Sequence, residues 1–170
     1  LVIDLKRFRR RWGRACDALE TLQPDGAATD LAAALNRGKL DPAALVEAVT
    51  AGRADYVSAR AAELGLHPDL AATLTRYTLF PVFTGLGTAL APLRERYGWG
   101  RGYCPTCGSK PLLGEFRGLD QSRYLRCGLC STSWDAARQW CPLCDNRDHE
   151  KLSFLHREGE ESRCRAAVCD

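Results

Sequence analysis

Methionine is absent from the 170 residues, histidine occurs three times, and neither sign of charge dominates. Without a methionine the chain reads as an excised stretch of a longer product, one that stops directly after a cysteine, at Asp170. The 24 Lys and Arg stand against 21 Asp and Glu, and a net charge of +3 leaves no electrostatic footprint for nucleic acid or a membrane surface. Long apolar runs are missing too. The longest uncharged stretch, Tyr77 to Leu93, is broken by Pro81, Gly85, Gly87 and Pro92 and falls short of a bilayer span, so no transmembrane segment is expected. No basic start followed by an apolar run and a small-residue cleavage site is visible. Charged residues at 26% and hydrophobic residues at 45% exclude a disordered chain.

What is present is cysteine, and it is unevenly placed. Only Cys16 lies in the first hundred residues, and the other eight fall between Cys104 and Cys169. Six form C-x-x-C pairs: Cys104 with Cys107, Cys127 with Cys130, and Cys141 with Cys144. Disulfide scaffolds rarely repeat that spacing, whereas thiolate metal sites usually do, so the pattern implies a reducing compartment and metal. Composition changes at Gly98-Trp-Gly-Arg-Gly102, from Ala- and Leu-rich sequence to turns and cysteines. The expected division is a helical domain over residues 1–100, a first metal module over 101–139 and a second over 140–170.

In the first helix Leu5, Phe8, Trp12, Ala15, Leu19 and Leu22 recur at spacings of three and four and form one apolar stripe. The basic residues between them read as a solvated face, since Asp17 and Glu20 follow. Cys16 has no base supplied nearby and reads as a small buried thiol. Pro24-Asp-Gly26 ends this helix, and Asp41-Pro42 is an N-cap with proline at the first helical position. A third helix spans Tyr56 to Leu64. His67, read as a cap, opens a fourth in which Leu70, Leu74, Tyr77, Pro81, Leu86, Leu90 and Leu93 continue a stripe that Pro81 should kink. Nothing in these hundred residues reads as an active site, and no catalytic or organic-cofactor residue is assigned.

The cysteine region is an internal repeat of knuckle, hairpin and knuckle. Strands are expected near 112–116 and 123–126, then near 152–156 and 163–168. Two C-x-x-C knuckles across a hairpin bring four thiolates to the corners of a tetrahedron, and Gly108 lets the chain turn back behind Cys107. The separation between Cys107 and Cys127 lies in the usual range for a closed four-cysteine site. The second set, Cys141, Cys144 and Cys169, supplies three thiolates, with its fourth ligand expected two places past Asp170. Cys164 is a spare thiol, placed by strand alternation on the face opposite Cys169. His149 and His156 read as surface residues.

Sulfur suits both zinc and iron, and spacing does not separate them. Iron in four thiolates would be a rubredoxin-type redox centre. Zinc there would be a structural staple whose binding energy, roughly 10 kcal/mol, replaces a core too small to fold alone. A thiol–disulfide enzyme would need a helix N-terminus beside its thiol, and Gly108-Ser-Lys-Pro111 is a turn instead. A zinc-ribbon nucleic-acid binder is the other alternative, disfavoured because Arg101 to Asp170 carries 11 Lys and Arg against 10 Asp and Glu.

Four segments together resemble the accessory proteins of formate dehydrogenase maturation, the FdhE-type family. They are Arg101-Gly-Tyr-Cys-Pro-Thr-Cys-Gly-Ser-Lys-Pro111, Arg123-Tyr-Leu-Arg-Cys-Gly-Leu-Cys-Ser-Thr-Ser-Trp134, Arg138 followed by Cys141-x-x-Cys144, and Arg165-Ala-Ala-Val-Cys169. The resemblance implies an α+β chain, with an α-helical N-terminal domain followed by two small rubredoxin-like or zinc-ribbon β-hairpin modules, the second truncated. It also implies a cytoplasmic, non-enzymatic maturation factor. Such a factor engages the catalytic subunit of a respiratory formate dehydrogenase, self-associates, and holds iron, with zinc as the other metal its sulfurs suit.

Overall fold

In the computed structural model, which describes residues 3–159 and 165–170, six helices precede two small antiparallel sheets. The α+β reading of the sequence holds. The chain separates into two compact units that divide between Leu86 and Gly87.

The first unit is helical. The Asp4 carboxylate opens α1 (Leu5–Leu22) by accepting from the Lys6 and Arg7 amides at 2.9 and 3.1 Å. Its buried line is Phe8, Trp12 and Cys16, one side chain per turn, whereas Leu22 at the end of the expected stripe is 82% exposed. Cys16 is the small buried thiol that its position implied, and burial, then the Asp17 charge, pushes it up to about 11.

The helix α2 (Ala27–Asn36) is not among the sequence expectations. Its N-terminal amides are satisfied by the preceding helix and by the residue before its cap. Glu20 accepts from Gly26 and Thr29 at 3.0 and 3.3 Å, and Asp25 accepts from Ala27 at 3.0 Å. The Asp41 cap and Pro42 begin α3 (Pro42–Thr50) as expected, and α4 (Ala54–Glu63) follows. His67 caps α5 (Pro68–Ala89), its Nδ1 accepting from the Leu70 amide at 3.3 Å.

This long helix runs through Pro81 and buries Ala71, Leu74, Thr75, Thr78, Leu79 and Phe83. The expected stripe is therefore turned aside, and Tyr77 is 66% exposed. Threonine is the reason. Thr75 returns its hydroxyl to the Ala71 carbonyl at 2.8 Å, which lets a polar residue occupy the core face.

The second unit carries the cysteines. After α6 (Ala91–Tyr97), β1 (Pro111–Arg117), β2 (Ser122–Cys127) and β3 (Ser133–Ala136) pair antiparallel in sequence order. Leu125 of β2 lies opposite Trp134 of β3, and both are buried. A hairpin of β4 (Leu152–His156) and β5 (Arg165–Cys169) forms the second sheet, its register pairing Leu152 with Cys169. Among the described residues, β3 is the one strand not expected from sequence.

Three contacts join the two sheets' modules within this unit. One Arg123 guanidinium nitrogen donates to the Ala137, Arg138 and Trp140 carbonyls at 3.0, 3.3 and 2.7 Å and so straps down the connecting segment. Phe116 of β1 lies under two guanidinium groups, Arg138 at 5.4 Å and Arg165 at 5.8 Å. Gly102 passes so close to the third knuckle that a Cβ there would stand 1.9 Å from the Pro142 carbonyl oxygen, which excludes any other residue.

Candidate metal centres

Each C-x-x-C pair is built as the same closed turn. The amide of the fourth residue after the first cysteine returns to that cysteine's carbonyl: Gly108 to Cys104 at 2.9 Å, Ser131 to Cys127 at 3.1 Å, and Asp145 to Cys141 at 2.9 Å. The first cysteine's own amide donates to the carbonyl of the fifth residue, Ser109, Thr132 or Asn146, at 2.8, 2.9 and 2.8 Å. Closing the turn this way requires a left-handed residue behind the second cysteine. Gly108 supplies it at φ 76°, as the sequence suggested, but Ser131 at 57° and Asp145 at 65° adopt it without being glycine. Inside the turn, backbone amides point at sulfur. Thr106 donates to Cys104 at 3.4 Å, and Leu129 donates to Cys127 at 3.3 Å.

The hairpin β1–β2 then carries the first knuckle to the second. The sulfurs of Cys104, Cys107, Cys127 and Cys130 all lie within 4.8 Å of one another. Cys104 and Cys130 are 3.4 Å apart, Cys107 and Cys127 3.5 Å, and Cys107 and Cys130 3.8 Å. A tetrahedral ion with bonds of about 2.3 Å to sulfur spaces its ligands about 3.8 Å apart, so the cluster has the size such an ion needs. Cys104, Cys127 and Cys130 are buried and Cys107 is half-buried.

Sulfurs packed this closely cannot all ionise unless a cation sits among them. Contact with Cys104 draws the Cys107 thiol down while Cys104 is pushed up. The same Cys104 contact pushes Cys127 up and brings Cys130 to about 6. The donor set fits a thiophilic ion of either kind, iron or zinc.

The second hairpin brings Cys141, Cys144 and Cys169 together on the same scale, with the Cys144 and Cys169 sulfurs 3.4 Å apart. This cluster is open to solvent, Cys144 being exposed. Among the described residues it holds three sulfurs, and Cys164 lies outside the described residues. His149 and His156 are exposed, as expected, and neither joins a cluster.

Side chains that the sequence reading passed over stand around the sulfurs. Thr132 Oγ1 is 3.2 Å from the Cys130 sulfur and 3.0 Å from Thr106 Oγ1. The Asn146 amide nitrogen donates to the Cys169 sulfur at 3.3 Å. Their signal was present in the sequence as a repeated C-x-x-C-x-(Ser, Thr or Asn).

Residues 103–138 match the family model described as FdhE, central domain. The chain is 39% identical over 82 residues to Protein FdhE of Escherichia coli O127:H6, a stretch that takes in 45% of this chain and 25% of that protein. Protein FdhE of Shigella boydii serotype 18 is 38% identical over 82 residues with the same coverage. The matched stretch is thus a quarter of the length of these curated relatives. In fold, the chain is similar to the FdhE protein from Pseudomonas aeruginosa, with a TM-score of 0.62 at 24% identity over 99% of this chain and 64% of that one. No helix among the described residues is long and apolar enough to cross a membrane.

Proposed function

We propose that this chain, FdhE-type in its central cysteine module and its fold, serves as a cytoplasmic accessory factor in the maturation of a formate dehydrogenase. In this reading it recognises the catalytic subunit of a respiratory formate dehydrogenase before export and performs no catalysis itself. The observation that carries the reading is the four-sulfur cluster standing inside the segment that matches the FdhE central domain.

Cys104, Cys107, Cys127 and Cys130 would hold one metal ion, and Cys141, Cys144 and Cys169 would supply sulfur to a second. A metal bound there cross-links the hairpin and, where it is iron, adds a one-electron couple. The protein's part is to hold the sulfurs in register and to present the surface around them to the client. Iron is the metal the family resemblance favours. Self-association belongs to the same reading.

The test is recovery of the client. An affinity-tagged chain, produced together with a formate dehydrogenase catalytic subunit, should retain that subunit through a high-salt wash. The Cys127→Ser chain should retain much less. No enrichment of the subunit over an untagged control would overturn the proposal, and tight, salt-sensitive binding of duplex DNA would favour the zinc-ribbon alternative instead.

A further inference from the structure

We infer that Thr132 and Asn146 are positioning residues of the sulfur clusters. Each gives a side-chain hydrogen bond to one cluster sulfur and thereby sets how strongly that thiolate donates to its metal. The inference rests on the metal reading proposed above and assigns a role to two residues outside the sulfur set.

The backbone sets the placement of these side chains. Ser109, Thr132 and Asn146 each stand five places after the first cysteine of a knuckle, and each main-chain carbonyl accepts that cysteine's amide. The left-handed residue just before each of them turns the chain back toward the sulfurs. A side chain at this position is therefore held beside the cluster by the same turn that aligns the ligands. All three positions carry a short hydrogen-bonding group. Thr132 Oγ1 lies 3.2 Å from the Cys130 sulfur within its own knuckle, accepting from it while the thiol keeps its proton. The longer Asn146 reaches across the hairpin to Cys169.

Direction follows from proton inventory. A thiolate that binds metal has no proton and can only accept. The Thr132 hydroxyl, which accepts from the free Cys130 thiol, must then turn its own proton toward sulfur, while the Asn146 amide already donates. Thr132 is free to do so because Thr106, 3.0 Å away, can supply the proton for Thr132's own oxygen. Thr132 is only 7% exposed and Cys130 only 2%, and a hydrogen bond to an anion is strong in such surroundings. A donated hydrogen bond withdraws electron density from sulfur. It should raise the energy of sulfur-to-metal charge transfer and favour the reduced form of a redox-active metal.

The test uses the 170-residue chain loaded with cobalt(II) and, separately, with iron. Thr132→Val keeps the shape and removes the donor; Thr132→Ser keeps the donor. Thr132→Val should bind metal in wild-type amount, with its charge-transfer bands moved to lower energy and its iron midpoint potential lowered. Thr132→Ser should restore both. Asn146→Leu should move the bands of the second cluster alone.

Full metal content with unmoved bands and potential in Thr132→Val would overturn the inference. Equal loss of metal in Thr132→Val and Thr132→Ser would also overturn it, since that outcome marks the position as a matter of packing. A wild-type chain that takes up no cobalt would overturn the metal reading beneath, a failure visible before any variant is compared.

Discussion

Ser131 and Asp145 occupy the same place in their knuckles and the same left-handed backbone, yet their substitutions should act in opposite directions. An L-residue pays roughly 1–2 kcal/mol for that conformation, and glycine is relieved of it at a smaller cost in chain entropy. Ser131→Gly should therefore raise stability by about 0.5–1 kcal/mol, read as a rise in the denaturant midpoint. In Asp145→Gly the same relief is outweighed, because the Asp145 carboxylate accepts from the buried Trp140 indole at 2.6 Å. That substitution should cost about 1 kcal/mol. Equal shifts in the two variants would show that backbone strain alone governs the knuckles.

Glu115 offers a second comparison at this scale. Its carboxylate bonds Arg126 and, at 2.8 and 2.9 Å, Arg117, and these partners in that order hold it down to about 2. A carboxyl depressed in the folded state stabilises above its unfolded value of 4.5 and loses that contribution as pH falls through about 2. The site is partly solvated, so about 1 kcal/mol is the appropriate scale. Wild type should exceed Glu115→Gln by that amount at pH 7, and the gap should close as pH drops below 4.5. A gap independent of pH would assign the effect to packing.

At the scale of the element, the unit that repeats is the knuckle, and its cysteines were legible because their spacing is itself the geometry. Two cysteines three apart can share one ion only through a tight turn, so the pattern names both the turn and its contents. The residues behind the sulfurs were less legible, because Ser, Thr and Asn are common in turns for reasons unrelated to metal. The helices show a similar limit. Asp41 and Pro42 announce α3 locally, whereas α2 has a glycine at its cap position and takes its capping from Asp25 before it and from Glu20 of the preceding helix. On α5 a periodicity count built from apolar residues alone could not foresee that Thr75 and Thr78 would face inward.

Burial separates the two clusters and yields a kinetic expectation. Three of four sulfurs are buried in the first, while Cys144 of the second is exposed. A chelator should remove metal in two phases, the fast one from Cys141, Cys144 and Cys169. The Cys144→Ser chain should lack that phase and keep the slow one. A single phase carrying all the metal would mean that exposure does not govern release.

The whole molecule divides its stability between two different sources. Phe8, Trp12, Leu31, Leu35, Leu45, Val57, Leu74 and Leu79 are buried in the helical unit, a set of apolar side chains that includes no cluster cysteine. That is core enough to order helices by burial, at roughly 1.5–3 kcal/mol for each large side chain. Among the described residues of the cysteine unit the large buried side chains reduce to Leu125, Leu129, Trp134 and Trp140, and the remaining order has to come from cross-linking. Metal removal should then act on one unit and spare the other. Amide spectra of the stripped chain should keep dispersed signals for α1 to α4 and lose those of β1 to β5, and adding zinc or iron should bring them back. Collapse of the α1–α4 signals along with the strands would show that the helical core is not sufficient by itself. Unchanged strand signals after complete metal loss would show that Leu125 and Trp134 hold the sheet without the cross-link.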